Sequence, residues 1–196
     1  MIKPYYSEPN IQIYNGDCLE VMKELPDKSI DLIVTDPPYG LNYRSNWGSK
    51  TGNLKDYIEN DKPEEFISLI QKVMPEFKRL LKTDSEVYWF CGGGGQPVLA
   101  YAWLEFVKHK PDLRVKNLLV WDKQFVGLGW DWRFQYETIF QLVKGKGINI
   151  SKNRNRSNIL KCNNLIPQAK EHPTVKPVAL INELLKEKSW GGGNGS

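Results

Sequence analysis

Four stretches of this chain carry apolar residues in runs of strand length, each closed by turn or glycine residues. Ile30 to Thr35 contains the unbroken run Leu32-Ile33-Val34, a pattern that suits a strand buried on both faces of a sheet. Glu86 to Cys91 reads as a strand running into four glycines at 92–95, and Val115 to Trp121 and Tyr136 to Val143 read as two more. A shorter strand, Ile11 to Tyr14, ends at Asn15-Gly16-Asp17.

Between these runs the spacing becomes helical. From Cys18 to Leu25, apolar residues at 19, 22 and 25 lie on one face, and Pro26-Asp27 ends the element. A longer helix runs from Pro63 to about Leu81, with Phe66, Leu69, Ile70, Val73, Phe77, Leu80 and Leu81 on one face and Pro75 as a possible kink point. A third spans about Pro97 to Lys108, and a last one begins near Pro177 and carries Leu180, Ile181, Leu184 and Leu185. Thr174 is a candidate cap for it, with Pro177 in its first turn. Strands alternating with helices at these lengths predict a three-layer α/β domain with a mostly parallel sheet. Ligands bind such sheets beyond the C-terminal ends of the strands, where residues 36–40 and the glycines 92–95 are expected. The glycines lack the spacing of a dinucleotide loop and read as a close-approach turn beside the cleft.

Composition narrows the class. At 196 residues with 40% hydrophobic and 26% charged, the chain suits one soluble domain over 1–196, burying roughly 70% of its extended surface. No apolar run approaches the ~18 residues of a membrane span, and the polar start Met1-Ile2-Lys3-Pro4 is unlike a signal peptide. Cys18, Cys91 and Cys162 are odd in number and far apart, and the two histidines are His109 and His172. Neither a disulfide framework nor a His-rich metal centre is indicated, and the cytoplasm is the expected compartment. The glycine-rich residues 190–196 read as a flexible tail.

Charge adds one asymmetry. The net charge is only +4, yet Thr138 to Lys170 contains no acid. Within the segment 144–170, Lys144, Lys146, Lys152, Arg154, Arg156 and Lys161 are candidates for phosphate contacts, with nearby asparagines able to touch base edges. The polar loop from Leu41 to Tyr57, carrying Arg44 and Lys50, is placed to reach the same duplex. Trp121, Trp130 and Trp132 read as packing residues rather than as a stacking platform.

The sharpest chemical signal is Asp36-Pro37-Pro38-Tyr39 at the end of a strand. Two prolines stiffen the loop and offer no backbone donors, so a carboxylate and an aromatic ring stand fixed on either side. A carboxylate accepts hydrogen bonds from an amine and a ring stacks on a planar base. The motif is built to hold a flat molecule by its amino edge.

With Asn15-Gly16-Asp17-Cys18-Leu19-Glu20, the run Ser29 to Tyr39, and His172-Pro173-Thr174-Val175-Lys176-Pro177 in this order, the chain resembles the DNA amino-methyltransferases of the circularly permuted class. These enzymes transfer methyl from S-adenosylmethionine to the exocyclic amine of adenine or cytosine on a Rossmann-like fold. The resemblance implies that Asp36 and the Pro37 carbonyl receive the target amine, that Pro38 shapes the loop, and that Tyr39 stacks on a flipped base. It implies cofactor contacts from Asp17 and from His172, Pro173, Thr174, Lys176 and Pro177, double-stranded DNA as partner, and a restriction-modification setting, with adenine favoured because Asp precedes Pro-Pro-Tyr. The family's glycine-rich cofactor loop and ribose acid do not follow the last helix, so the resemblance also implies an incomplete, truncated sheet. A continuous half-sheet is then expected from the four main strands, while Ile11–Tyr14 loses its partner. The alternatives are an inactive DNA-binding remnant, or one half of a split enzyme whose sheet a second chain or another copy completes.

Overall fold

Helix and strand alternate as the spacing requires. The computed structural model describes residues 2–40, 62–93, 97–126, 131–148, 155–163 and 175–186. In chain order these form β1 (Tyr6–Glu8), β2 (Ile11–Ile13), α1 (Cys18–Glu24), β3 (Ile30–Thr35), α2 (Pro63–Leu80), β4 (Leu81–Phe90), α3 (Pro97–Val107), β5 (Arg114–Asp122), β6 (Tyr136–Val143), β7 (Ile159–Lys161) and α4 (Val178–Leu185). In α2, Pro63 opens the first turn, Glu64 and Glu65 follow it, and Lys78 and Arg79 close the last, so the charges complement the helix dipole. Pro75 removes one internal donor without ending the helix.

The five-stranded sheet has the order β3-β4-β6-β5-β7. β3 pairs parallel with β4 and β5 with β7, while β6 is antiparallel to both of its neighbours. Four strands therefore run one way and β6 alone runs back. Along β4 the side chains alternate between two cores. Val87 and Trp89 enter a core with Phe66, Ile70, Met74 and Phe77 of α2 and Ala102 and Phe106 of α3; Tyr88 and Phe90 enter a second with Trp121, Ile139, Leu160, Leu180 and Leu184. Helices thus cover both faces, and the three-layer α/β class holds.

The half-sheet expected from the four main strands forms, and several details differ from the sequence reading. β3 is not buried on both faces: its residues are half-exposed and Val34 is 38% exposed, because β3 is an edge strand. The apolar run could not show this, since burial of a strand depends on what lies beside it. β2 pairs antiparallel with β1, which the sequence did not signal, in a separate hairpin whose residues are exposed. β7 is also unannounced, being three residues long. The cap position of α4 is Pro177, which has no side-chain donor or acceptor; the candidate cap Thr174 lies outside the described residues.

Candidate active site

β3 ends with Thr35 paired to Trp89 of β4, which delivers Asp36 beyond the end of the sheet. The two prolines carry the chain forward and Tyr39 turns back, donating its hydroxyl to Asp36 Oδ1 at 2.6 Å. The ring lies on Gly92, just past β4. There φ is +56°, and a Cβ would stand 3.0 Å from Tyr39 Cδ2, so this position needs glycine for both backbone and space. Thr138 of β6 pins the glycine by donating its N–H (2.7 Å) and its hydroxyl (3.0 Å) to the Gly92 carbonyl. The close-approach reading of the glycine run is correct at Gly92; residues 94–96 lie outside the described part.

Because β6 runs against its neighbours, its first residues arrive at the same end of the sheet as Asp36. Glu137 stands there, opposite Trp121 in the β5–β6 register. Just before α4, Lys176 closes the group: its Nζ lies 2.8 Å from Asp36 Oδ2 and 3.4 Å from Glu137 Oε2. Lys123 Nζ takes the other Glu137 oxygen at 3.3 Å. The Lys176 ammonium also stands 5.6 Å from the Tyr39 ring centroid and 5.4 Å from that of Phe90. Two carboxylates and two ammonium groups balance one another in a largely desolvated corner. Burial, reinforced by the nearby Glu137 and Asp36 charges, pushes the Tyr39 phenol far above its ordinary pKa, so it remains a donor.

The site expected from sequence is thus assembled in part. Asp36, Pro37, Pro38 and Tyr39 come together as read. Asp17 caps α1, its carboxylate accepting from Leu19 N at 2.8 Å. Arg79 holds the other end of α1 through the Met22 and Leu25 carbonyls, so Asp17 stands at the end of α1 nearer Asp36. Lys176, expected at the cofactor, has its ammonium on Asp36, and Pro177 stands at the N-cap of α4. His172, Pro173 and Thr174 lie outside the described residues. Sequence reasoning missed Glu137, although Tyr136-Glu137 opens a strand; only the reversed direction of β6 puts that acid in the site.

The described basic residues of the acid-free stretch lie apart from one another. Lys144 donates to the Lys78 and Leu81 carbonyls, both at 2.7 Å, and Lys146 follows it at the far end of the sheet, where its N–H meets Asp84. Arg156 donates to the Glu183 and Lys186 carbonyls and to the Glu183 carboxylate, closing the C-terminus of α4. Lys144 and Arg156, expected at phosphates, thus place their side chains on helix-end carbonyls, and Lys146 is held through its backbone N–H. Lys161 ends β7 opposite Asp122, at the Asp36 end. Arg44, Lys50, Lys152 and Arg154 lie outside the described residues.

Trp121 is buried and donates to the Cys162 carbonyl at 2.8 Å, as a packing residue should. Trp132 does not follow that reading: it is 91% exposed on the β5–β6 connection, with Phe125 and Phe134 also exposed there. Trp130 is outside the described part. Among the described residues no cluster of metal-ligating side chains occurs, and no helix is long and apolar enough to cross a membrane.

A family model described as "DNA methylase" matches residues 30–193. The chain is 26% identical over 129 residues to the type II methyltransferase M2.MboI of Moraxella bovis, covering 62% of this chain and 45% of that protein. Its fold matches the PvuII DNA methyltransferase, described as cytosine-N4-specific, with a TM-score of 0.69 at 19% identity, covering 95% of this chain and 72% of that one. It also matches the M1.HpyAVI–SAM complex, with a TM-score of 0.60 at 20% identity, covering 90% and 76%. The chain spans less than half the length of the first curated relatives that it matches.

Proposed function

Because this chain belongs to the DNA methylase family, we propose that it methylates the exocyclic amine of a DNA base, adenine before cytosine, using S-adenosylmethionine. The observation that carries the reading is Asp36, paired with Lys176 and fixed against a Tyr39 ring that Gly92 and Thr138 keep in place.

Asp36 accepts one N–H of the target amine and the Pro37 carbonyl accepts the other. Both keep the nitrogen lone pair aimed outward, and alignment of this kind supplies much of the rate. Tyr39 offers its ring to the base, which must leave the duplex to reach it, at a cost of a few kcal/mol. Bound S-adenosylmethionine supplies an electrophilic methyl. Asp17, exposed at the start of α1, has the acceptor chemistry to hold the cofactor's polar groups; residues 172–174 are proposed beside it. On the DNA side we assign Lys161 and the exposed Trp132 and Phe125 at the Asp36 end, together with Arg44, Lys50, Lys152 and Arg154.

DNA from cells expressing the chain, digested and separated by mass, tests the reading. N6-methyladenine should appear, and Asp36→Ala should abolish it. Methylated cytosine amine without methylated adenine would overturn the adenine assignment, and no methylated amine would overturn the activity.

A second reading, one part of a two-chain enzyme, has a specific observation in its favour. The outer edge of β3 is unpaired among the described residues while Val34 beside it is exposed. Open edges of this kind accept another strand. Sedimentation at rising concentration would show association weakened by Val34→Lys if that edge is used.

A further inference from the structure

Lys176 occupies the place where the proposed reaction needs an amine. Its ammonium lies on Asp36 Oδ2 at 2.8 Å, above the Tyr39 and Phe90 rings. This is the position that a base amine, with its ring on Tyr39, would take. Meanwhile Glu137 Oε2 is buried, accepts no hydrogen bond from any described residue, and lies 3.4 Å from the same ammonium. The other Glu137 oxygen is tied to Lys123 on the adjacent strand, so the carboxylate is held still.

We propose that Lys176 is a built-in occupant of the amine subsite, displaced onto Glu137 when a base amine engages Asp36. The inference rests on the functional reading above and goes beyond it by assigning Lys176 and Glu137 as positioning residues. The physical case is one of balance. An ammonium left without a carboxylate in this corner would be costly, and so would Asp36 left without a hydrogen-bond donor, which the amine N–H supplies. Swinging the ammonium off Asp36 and toward Glu137 clears the place for the amine and transfers its strongest bond to an acceptor that now lacks a hydrogen bond. No charge is created, removed or stranded. Asp36 then meets the neutral amine with its negative charge no longer matched by a cation at bonding distance, which favours the positive charge that builds on the nitrogen during methylation. The base ring covers Tyr39 and excludes water from the exchange.

A purely structural bridge makes the opposite forecast from a displaceable one, and the substitutions separate them. If Lys176 only ties α4 to β3 and β6, Lys176→Arg preserves function and Lys176→Met loses it. If Lys176 must yield, Arg grips both carboxylates and resists, while Met leaves Asp36 open.

The test uses the full chain with adenosine and cytidine as probes and inosine and uridine, which lack the exocyclic amine, as controls. Heteronuclear NMR follows the Lys176 ammonium, assigned by its loss in Lys176→Met, and backbone amide shifts give affinities. The amino nucleosides should move the Lys176 signal and the controls should not. Affinity should rank Met above wild type above Arg, each step up to about tenfold for an ion pair of this exposure. Glu137→Gln, which removes the alternative acceptor, should weaken binding as Arg does. A Lys176 signal unmoved at millimolar nucleoside, or the reverse ranking, overturns the inference. Methyl transfer to unmethylated genomic DNA is assayed separately. Transfer with an unmoved ammonium sinks only this inference, and a displaced ammonium without transfer sinks only the activity.

Discussion

Tyr39 joins three properties that the site needs in one side chain: a ring held on Gly92, a hydroxyl given to Asp36, and a proton kept by burial. Because its phenol titrates higher in the folded chain than in the unfolded one, it supports the fold fully below about pH 10 and less as pH rises beyond that. Tyr88, buried beside the Glu86 carboxylate, is shifted in the same direction for the same reason, burial first. Denaturant unfolding should therefore show stability falling above pH 10, while phenolate absorbance shows part of the nine-tyrosine signal delayed until the fold opens. Gly92→Ala probes the contact itself. A left-handed backbone costs an alanine about 1–2 kcal/mol, and its methyl would meet the ring at 3.0 Å. The melting temperature should drop and amino-nucleoside binding should weaken with it, while Gly16→Ala, which meets nothing within 4 Å, should leave binding unchanged.

At the scale of elements, the two ends of the sheet divide the work. The far end is joined by basic side chains acting on carbonyls, where Lys144 closes α2 and Arg79 holds α1; Arg156 closes α4 in the same manner. The near end carries the proposed chemistry on the Asp36–Tyr39 loop, at the start of β6 and just before α4. Arg156→Ala should therefore lower the melting temperature by fraying α4 and leave the salt dependence of DNA binding unchanged. Lys161→Ala should keep the melting temperature and reduce the slope of log affinity against log salt by up to about 0.9 for a lost duplex phosphate contact. Equal slope losses in both variants would restore a continuous basic surface.

Across the whole molecule, stability and recognition occupy different aromatics. Phe140 is fully buried in the central strand β6 and packs edge-on against Phe106 at 5.0 Å between centroids. Phe140→Ala should cost about 3–5 kcal/mol in denaturant unfolding. Trp132→Ala, at an exposed position, should change stability by no more than about 0.5 kcal/mol. If its ring stacks on a displaced base, the same variant should weaken DNA binding by about 1–3 kcal/mol. Unchanged DNA binding would assign Trp132 no part in recognition.

The local pattern of the chain by itself determined the main strands, the helices and the loop Asp36–Tyr39, because each rests on residue spacing or proline stiffness within a few positions. Tyr136–Val143 was legible to its ends, since a strand buried in the middle of a sheet is apolar whatever its direction. That direction was not legible. Antiparallel pairing of β6 is a relation between strands, and it alone brings Glu137 to Asp36. Lys176 was visible as a residue of a motif but not as the partner of Asp36, because the two are separated by most of the chain. The basic stretch read as one surface because charge is counted along sequence. The fold winds it past both ends of the sheet, so Lys144 and Arg156 cap helices while Lys161 stays near the site. Edge position decided β3, whose apolar run promised two covered faces. What a short window encodes was settled locally; what depends on strand order, strand direction and the meeting of distant charges was decided only by the tertiary structure.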